Sequence, residues 1–136
     1  MATCKEQSSI SIYLRYIENL KKYTRGRILT ISNHDKHYEK LPINLNKLEK
    51  LGFPIEIFIR GKISREPICI YNNEKYSFEN VNDALQFGRD NSSKSYRKNA
   101  KEDMEYVLKE LKKFNNSYFE PELEILKKRI FNFTNL

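Results

Sequence analysis

Residues 54–61, PIEIFIRG, set Ile55, Ile57 and Ile59 two apart, with Glu56, Phe58 and Arg60 between them. A side-chain period of two describes a strand covered on one face and partly wet on the other. Elsewhere the apolar residues recur mostly at three and four, the helical period. A chain that mixes such strands with amphipathic helices, and lacks an alternating βαβ run, fits α+β better than a doubly wound fold. The expected architecture is a small antiparallel sheet of three to four strands with an N-terminal helix and a helical C-terminal half.

The elements follow from the same patterning. In SSISIYLRYIENLKKYT, Ile10, Tyr13, Leu14, Ile17 and Leu20 trace a helical stripe, with Ser8 or Ser9 as N-cap and an end near Thr24. RILTIS, residues 27–32, is β-branched and bounded by Gly26 and the polar NHDKH, which predicts a strand and then a loop. After Pro42, NLNKLEKLG reads as a two-turn helix capped by Asn44 and closed by Gly52 at C′. PICIY and KYSF flank the turn-forming NNE as hairpin strands. Val81, Ala84, Leu85 and Gly88 form one helical stripe behind Phe78. Asn99 and Glu102 form a capping box ahead of Met104, Val107, Leu108, Leu111 and Phe114, and a last helix starts near Pro121 with Leu123, Leu126 and Ile130.

With 136 residues, no repeat and no Pro/Gly-rich linker, residues 1–136 are expected to form a single α+β domain. No apolar run approaches the roughly 18 to 20 residues that span a bilayer, and the first residues lack the apolar core of a leader. A soluble, cytoplasmic protein is expected, with no membrane partner. Cys4 and Cys69 lie outside any C-x-x-C spacing and are expected to be reduced. The heavy use of Lys, Asn, Ile and Tyr with no Trp suits AT-rich coding, such as that of a phage, a virus or another mobile element.

Charge carries the functional reading. The net charge is +7, and residues 1–68 hold thirteen Lys and Arg against seven Asp and Glu. One cluster, KKYTRGR, places Lys21, Lys22, Arg25 and Arg27 around Tyr23 at a helix C-terminus. Dipole complementation accounts for the two lysines and leaves the arginines, which suit bidentate phosphate contact, with Tyr23 as a stacking face. A second, RDNSSKSYRKNAK, places Arg89, Lys94, Arg97, Lys98 and Lys101 between two helices, interleaved with Ser and Asn and with Tyr96 as a second stacking group. Ala84-x-x-x-Gly88 partly matches a helix-turn-helix, although Asp83 and Arg89 stand where that pattern wants apolar residues.

Catalytic signals are incomplete. Gly26, Gly52, Gly61 and Gly88 are isolated, so no phosphate-cradling glycine loop exists, and there is no G-x-S-x-G elbow. His34, Asp35 and His37 resemble part of a metal site but lack further ligands, and Cys69 could join either histidine only through the fold. No metal or cofactor is expected. The chain reads as a non-enzymatic binding protein that presents a basic surface to a polyanion, either nucleic acid or a nucleoprotein complex, as a small regulator or inhibitor of a mobile element. The alternative is a protein-interaction module that inhibits an acidic partner, anchored by Phe58, Phe87 or Tyr96. An enzyme built on His34, His37 and Cys69 comes third.

Overall fold

The computed structural model describes residues 1–23, 28–61, 66–72, 74, 78–114 and 120–135. Among the described residues, five helices and two strands succeed one another: α1 (Lys5–Tyr23), α2 (Ile31–Lys50), β1 (Ile57–Arg60), β2 (Pro67–Tyr71), α3 (Val81–Tyr96), α4 (Ala100–Lys113) and α5 (Glu120–Thr134). The protein is α+β with an N-terminal helix and a helical C-terminal half. Its described sheet has two antiparallel strands, not three or four. Contacts gather into two compact units, residues 1–5 with 36–95, and residues 6–35 with 96–136.

One of the missing strands is the start of a helix instead. In RILTIS, Thr30 acts as a helix cap: its Oγ1 accepts the Asn33 N–H at 3.1 Å, and Glu122 of α5 accepts the Ile31 N–H at 2.7 Å. Two orphan donors of a helix N-terminus are thereby satisfied, so the β-branched Ile31 and Thr30 start α2 in place of a strand. NHDKH is helical for the same reason. The expected KYSF strand falls largely on residues outside the described ones, and Phe78, which is described, sits in a bend.

In the first unit, α2 runs through Pro42 without ending. Proline lacks the N–H that would bond to the carbonyl four residues earlier, which is that of Tyr38. Arg89 of α3 supplies the donor: its guanidinium donates to the Tyr38 carbonyl at 2.9 Å and stacks 3.6 Å from the Tyr38 ring centroid. The helix then closes at Gly52, φ +83°, with Phe53 N–H donating to Leu48 O and Gly52 N–H to Glu49 O. That pair of bonds is a Schellman motif with glycine at C′, as the sequence predicts.

The core of this unit lies under α3. Val81, Ala84 and Leu85 are buried with Ile57 and Ala2, and Leu45, Ile55, Ile70, Tyr71 and Phe78 pack against them. Ile57 pairs with Tyr71 and Phe58 with Cys69, which leaves Ile70 as an extra residue on β2. The resulting bulge turns Ile70 toward α3. Residues 1–5 belong to this packing. Ala2 N–H donates to Phe58 O at 2.8 Å, Cys4 N–H to Ser92 Oγ at 2.9 Å, and Tyr38 Oη to Thr3 O at 3.0 Å.

Gly88 is therefore a seat for the Ala2 side chain, not the turn of a helix-turn-helix. Helix α3 is unbroken from Val81 to Tyr96. A Cβ at position 88 would overlap Ala2 Cβ and lie 3.2 Å from Ile59 Cγ2.

In the second unit, Ile10, Tyr13, Tyr16 and Ile17 of α1 are buried, as are Met104, Val107 and Leu111 of α4 and Leu126, Ile130 and Phe133 of α5. Leu108 and Leu123 are half-buried and Phe114 is exposed. Helix α1 starts at Lys5, so Ser8 and Ser9 lie inside it and cap nothing. Asn99 makes no side-chain cap bond, because only three residues separate α3 from α4 and Asn99 keeps helical φ and ψ.

Substituting Gly88→Ala should raise helix propensity by about 1 kcal/mol, yet the overlap with Ala2 should outweigh it and leave a net loss of roughly 1–2 kcal/mol. Urea unfolding measures this; a more stable variant would contradict the packing described.

Candidate polyanion interface

The two basic clusters legible in the sequence divide into structural and solvent-facing cations. Lys21 Nζ lies 3.2 Å from Glu110 Oε2 and donates to Tyr106 Oη at 3.0 Å. Lys22 pairs with Glu18 at 3.5 Å on the exposed side of α1, an arrangement that adds little to stability. Tyr23 ends α1 and is exposed. Arg25 and Arg27 lie outside the described residues.

RDNSSKSYRKNAK is mostly the last two turns of α3 and not a connector. Within the first unit, Arg89 is half-buried under Tyr38, where desolvation lowers its pKa. Ser92 is buried against the backbone of Cys4, and Lys94 is exposed. Within the second unit, Tyr96 is only 4% exposed; its hydroxyl donates to Asp103 at 2.8 Å and its ring stacks 6.2 Å from that of Phe133. A ring so enclosed has no open face for a base. The Arg97 guanidinium lies 5.1 Å from the centroid of Phe133, while Lys98 and Lys101 are exposed. The boundary between the two units falls between Ser95 and Tyr96.

The continuity of α2 creates a cationic surface that the sequence reading misses. Lys36, Lys40, Lys47 and Lys50 are spaced four, seven and three apart, and Ile43 fills the step between Lys40 and Lys47. At on the order of 100° per residue these five share one helix face, over about 21 Å of axis. All four lysines are exposed, and none is in an ion pair with a described residue. The two acids of the segment are engaged elsewhere. Glu49 accepts the Tyr71 hydroxyl and the Val81 N–H, and Glu39, at the margin of the row, lies 3.4 Å from Lys5 Nζ. The periodic signal is present in the sequence, but a break at Pro42 and a loop over residues 33–37 hide it.

His34 and His37 differ in their surroundings. His34 is 7% exposed, with Nε2 2.9 Å from Ser8 Oγ and Nδ1 2.9 Å from Asp35 Oδ1. Because a carboxylate only accepts, the Nδ1–H donates to Asp35. Asp35 is in turn gripped by Arg129 through two bonds of 3.0 and 2.7 Å. His37 is exposed on α2, and the Cys69 thiol donates to Tyr71 O at 3.3 Å. Among the described residues no group of three or more His, Cys, Asp or Glu is placed to hold a metal ion, and no helix is long and apolar enough to cross a membrane.

Comparison with family models, curated proteins and solved structures finds no match to this chain.

Lys21 therefore has a structural task that can be tested by pH. The ammonium of Lys113, and then that of Lys21, holds the Glu110 carboxyl below its ordinary 4.5. A depressed carboxyl contributes stability that is complete above the unfolded pKa and is lost as pH falls through the folded one. Glu110→Gln should lower the melting temperature at neutral pH, and the difference from the wild type should vanish in acid well below 4.5. Equal differences at both pH values would remove the charge interaction from the account.

Proposed function

We propose that the protein is a non-enzymatic binding protein whose α2 lysine row engages the phosphates of a nucleic acid or nucleoprotein complex. The supporting observation is that four exposed ammonium groups share one helix face, none of them in an ion pair with a described residue, with Glu39 as the one acid at the margin of the row. A solvated helix ordinarily intersperses acids at i+4, and this face carries none between Lys40 and Lys50. Lysine is a point charge without the planar fork that reads guanine edges, so the contact is to backbone and independent of sequence. Lys22, Lys94, Arg97 and Lys98 remain secondary candidates for phosphate contact. A small regulator or inhibitor on a mobile element is the biological setting that suits such a protein.

The rival reading, docking on an acidic protein, is favoured by Phe87, which stays 49% exposed beside Phe78 at 5.3 Å between centroids. Salt dependence separates the two. Neutralising four phosphates predicts a log–log salt slope of about −3.6 on duplex DNA, an affinity loss of roughly 150-fold between about 50 and 200 mM salt. Fluorescence anisotropy with labelled DNA and RNA measures it. The variant Lys36→Gln/Lys40→Gln/Lys47→Gln/Lys50→Gln should lose that slope. An unchanged slope would move the site away from α2, and no binding at low salt by the wild type would end the nucleic-acid reading.

A further inference from the structure

Beside the lysine row, the C-terminal end of α2 carries apolar side chains that the core does not take. Leu51 is 73% exposed and Phe53 57%, and Leu41 and Leu48 are exposed as well. Leu41 and Leu48, seven apart, line up about 100° round the helix from Lys40 and Lys47, whereas Leu51, four residues after Lys47, lies one turn on beside it. The Schellman closure folds the chain back at Gly52 and places Phe53 after Leu48, at the tip of the helix. Ile43, also exposed, sits within the lysine row itself.

A phenylalanine ring can stack on a base, but leucine offers nucleic acid neither charge, hydrogen bond nor stacking face, and a protein interface with this much lysine would be atypical. Interface cores are depleted of lysine, and their anchors favour Trp, Tyr and Arg over Leu. Lysines with long apolar stems leading to a protruding Leu and Phe tip suit a different surface. There the stems lie along the hydrocarbon boundary while the ammonium groups reach headgroup phosphates.

We propose that the α2 tip docks on an anionic lipid surface, with Leu51 and Phe53 entering the headgroup boundary and Lys40 and Lys47, on the side of Leu51, meeting the lipid phosphates. The inference shares with the proposed function the premise that this row meets phosphates, and it adds a second ligand that competes for the same lysines. The helix lies on the membrane and does not cross it, so the lack of a spanning segment among the described residues is consistent with it.

The sequence contains no tryptophan, so Phe53→Trp places a sole indole reporter at the tip. Its emission should shift to the blue with vesicles of phosphatidylcholine containing about a third phosphatidylserine, and stay unchanged with phosphatidylcholine alone. In co-sedimentation, Leu51→Ser/Phe53→Ser should weaken vesicle binding at least about tenfold while leaving nucleic-acid affinity intact. Removing lysines should cost about fivefold each on vesicles. No blue shift, or vesicle binding undiminished in Leu51→Ser/Phe53→Ser, overturns the proposal. So does a wild-type dimer in light scattering that the double serine variant abolishes, since the tip would then cover a second copy. Vesicle binding without nucleic-acid binding would leave this inference standing and remove the proposed function instead. Both serine positions are exposed, and unchanged circular dichroism confirms that the variants fold.

Discussion

The first unit is organised around one carbonyl oxygen, that of Tyr38. Pro42 deprives it of its helical donor, and this part-buried acceptor needs another. Arg89 takes its place with a charge-assisted bond and covers the Tyr38 ring at the same time. Because that single guanidinium serves the helix where proline cannot, α2 continues for 20 residues and carries Lys36 and Lys40 onto the same face as Lys47 and Lys50. Broken at Pro42, the segment would present two unrelated pairs of lysines.

Arg89 can make this contact because α3 is held against the sheet and the first residues of the chain. Gly88, adjacent to it, is narrow enough for Ala2 to sit on the helix, and Ser92, one turn later, accepts the Cys4 N–H. A two-stranded hairpin alone is marginal in water. Here it gains a helix on one face, from Ile57, Ile59 and the bulged Ile70, and a further backbone bond from Ala2 at Phe58. Glu49 links the same parts from the other side, accepting from Tyr71 of β2 and from the first N–H of α3.

Much of this architecture is legible from local pattern. The strand at 57–60, the Gly52 closure, the Val81, Ala84, Leu85 and Gly88 stripe and the two C-terminal helices follow from period and from turn chemistry. The errors lie where a distant partner overrides a local preference. RILTIS has the composition of a strand, but Thr30 and Glu122 make it a helix start, and Glu122 is about ninety positions away in sequence. Pro42 reads as a break until Arg89 is placed. The same long-range bond reverses the site reading: it takes Arg89 out of the solvent-facing cations and brings the α2 row into being. Tyr96 misleads in a similar way, as its polar neighbours in sequence conceal a ring buried against Phe133.

The functional account thus makes Arg89 a positioning residue for lysines it does not touch. The decisive measurement is the nucleic-acid affinity of Arg89→Ala and of Arg89→Ala/Pro42→Ala at low salt. The account predicts that Arg89→Ala weakens binding by disrupting α2 at Pro42. It further predicts that the added Pro42→Ala restores most of the affinity, because an alanine at that position regains the N–H that satisfies the Tyr38 carbonyl. Equal loss in both variants would mean that Arg89 contacts phosphate directly, and full affinity in Arg89→Ala would mean that binding does not depend on a continuous α2.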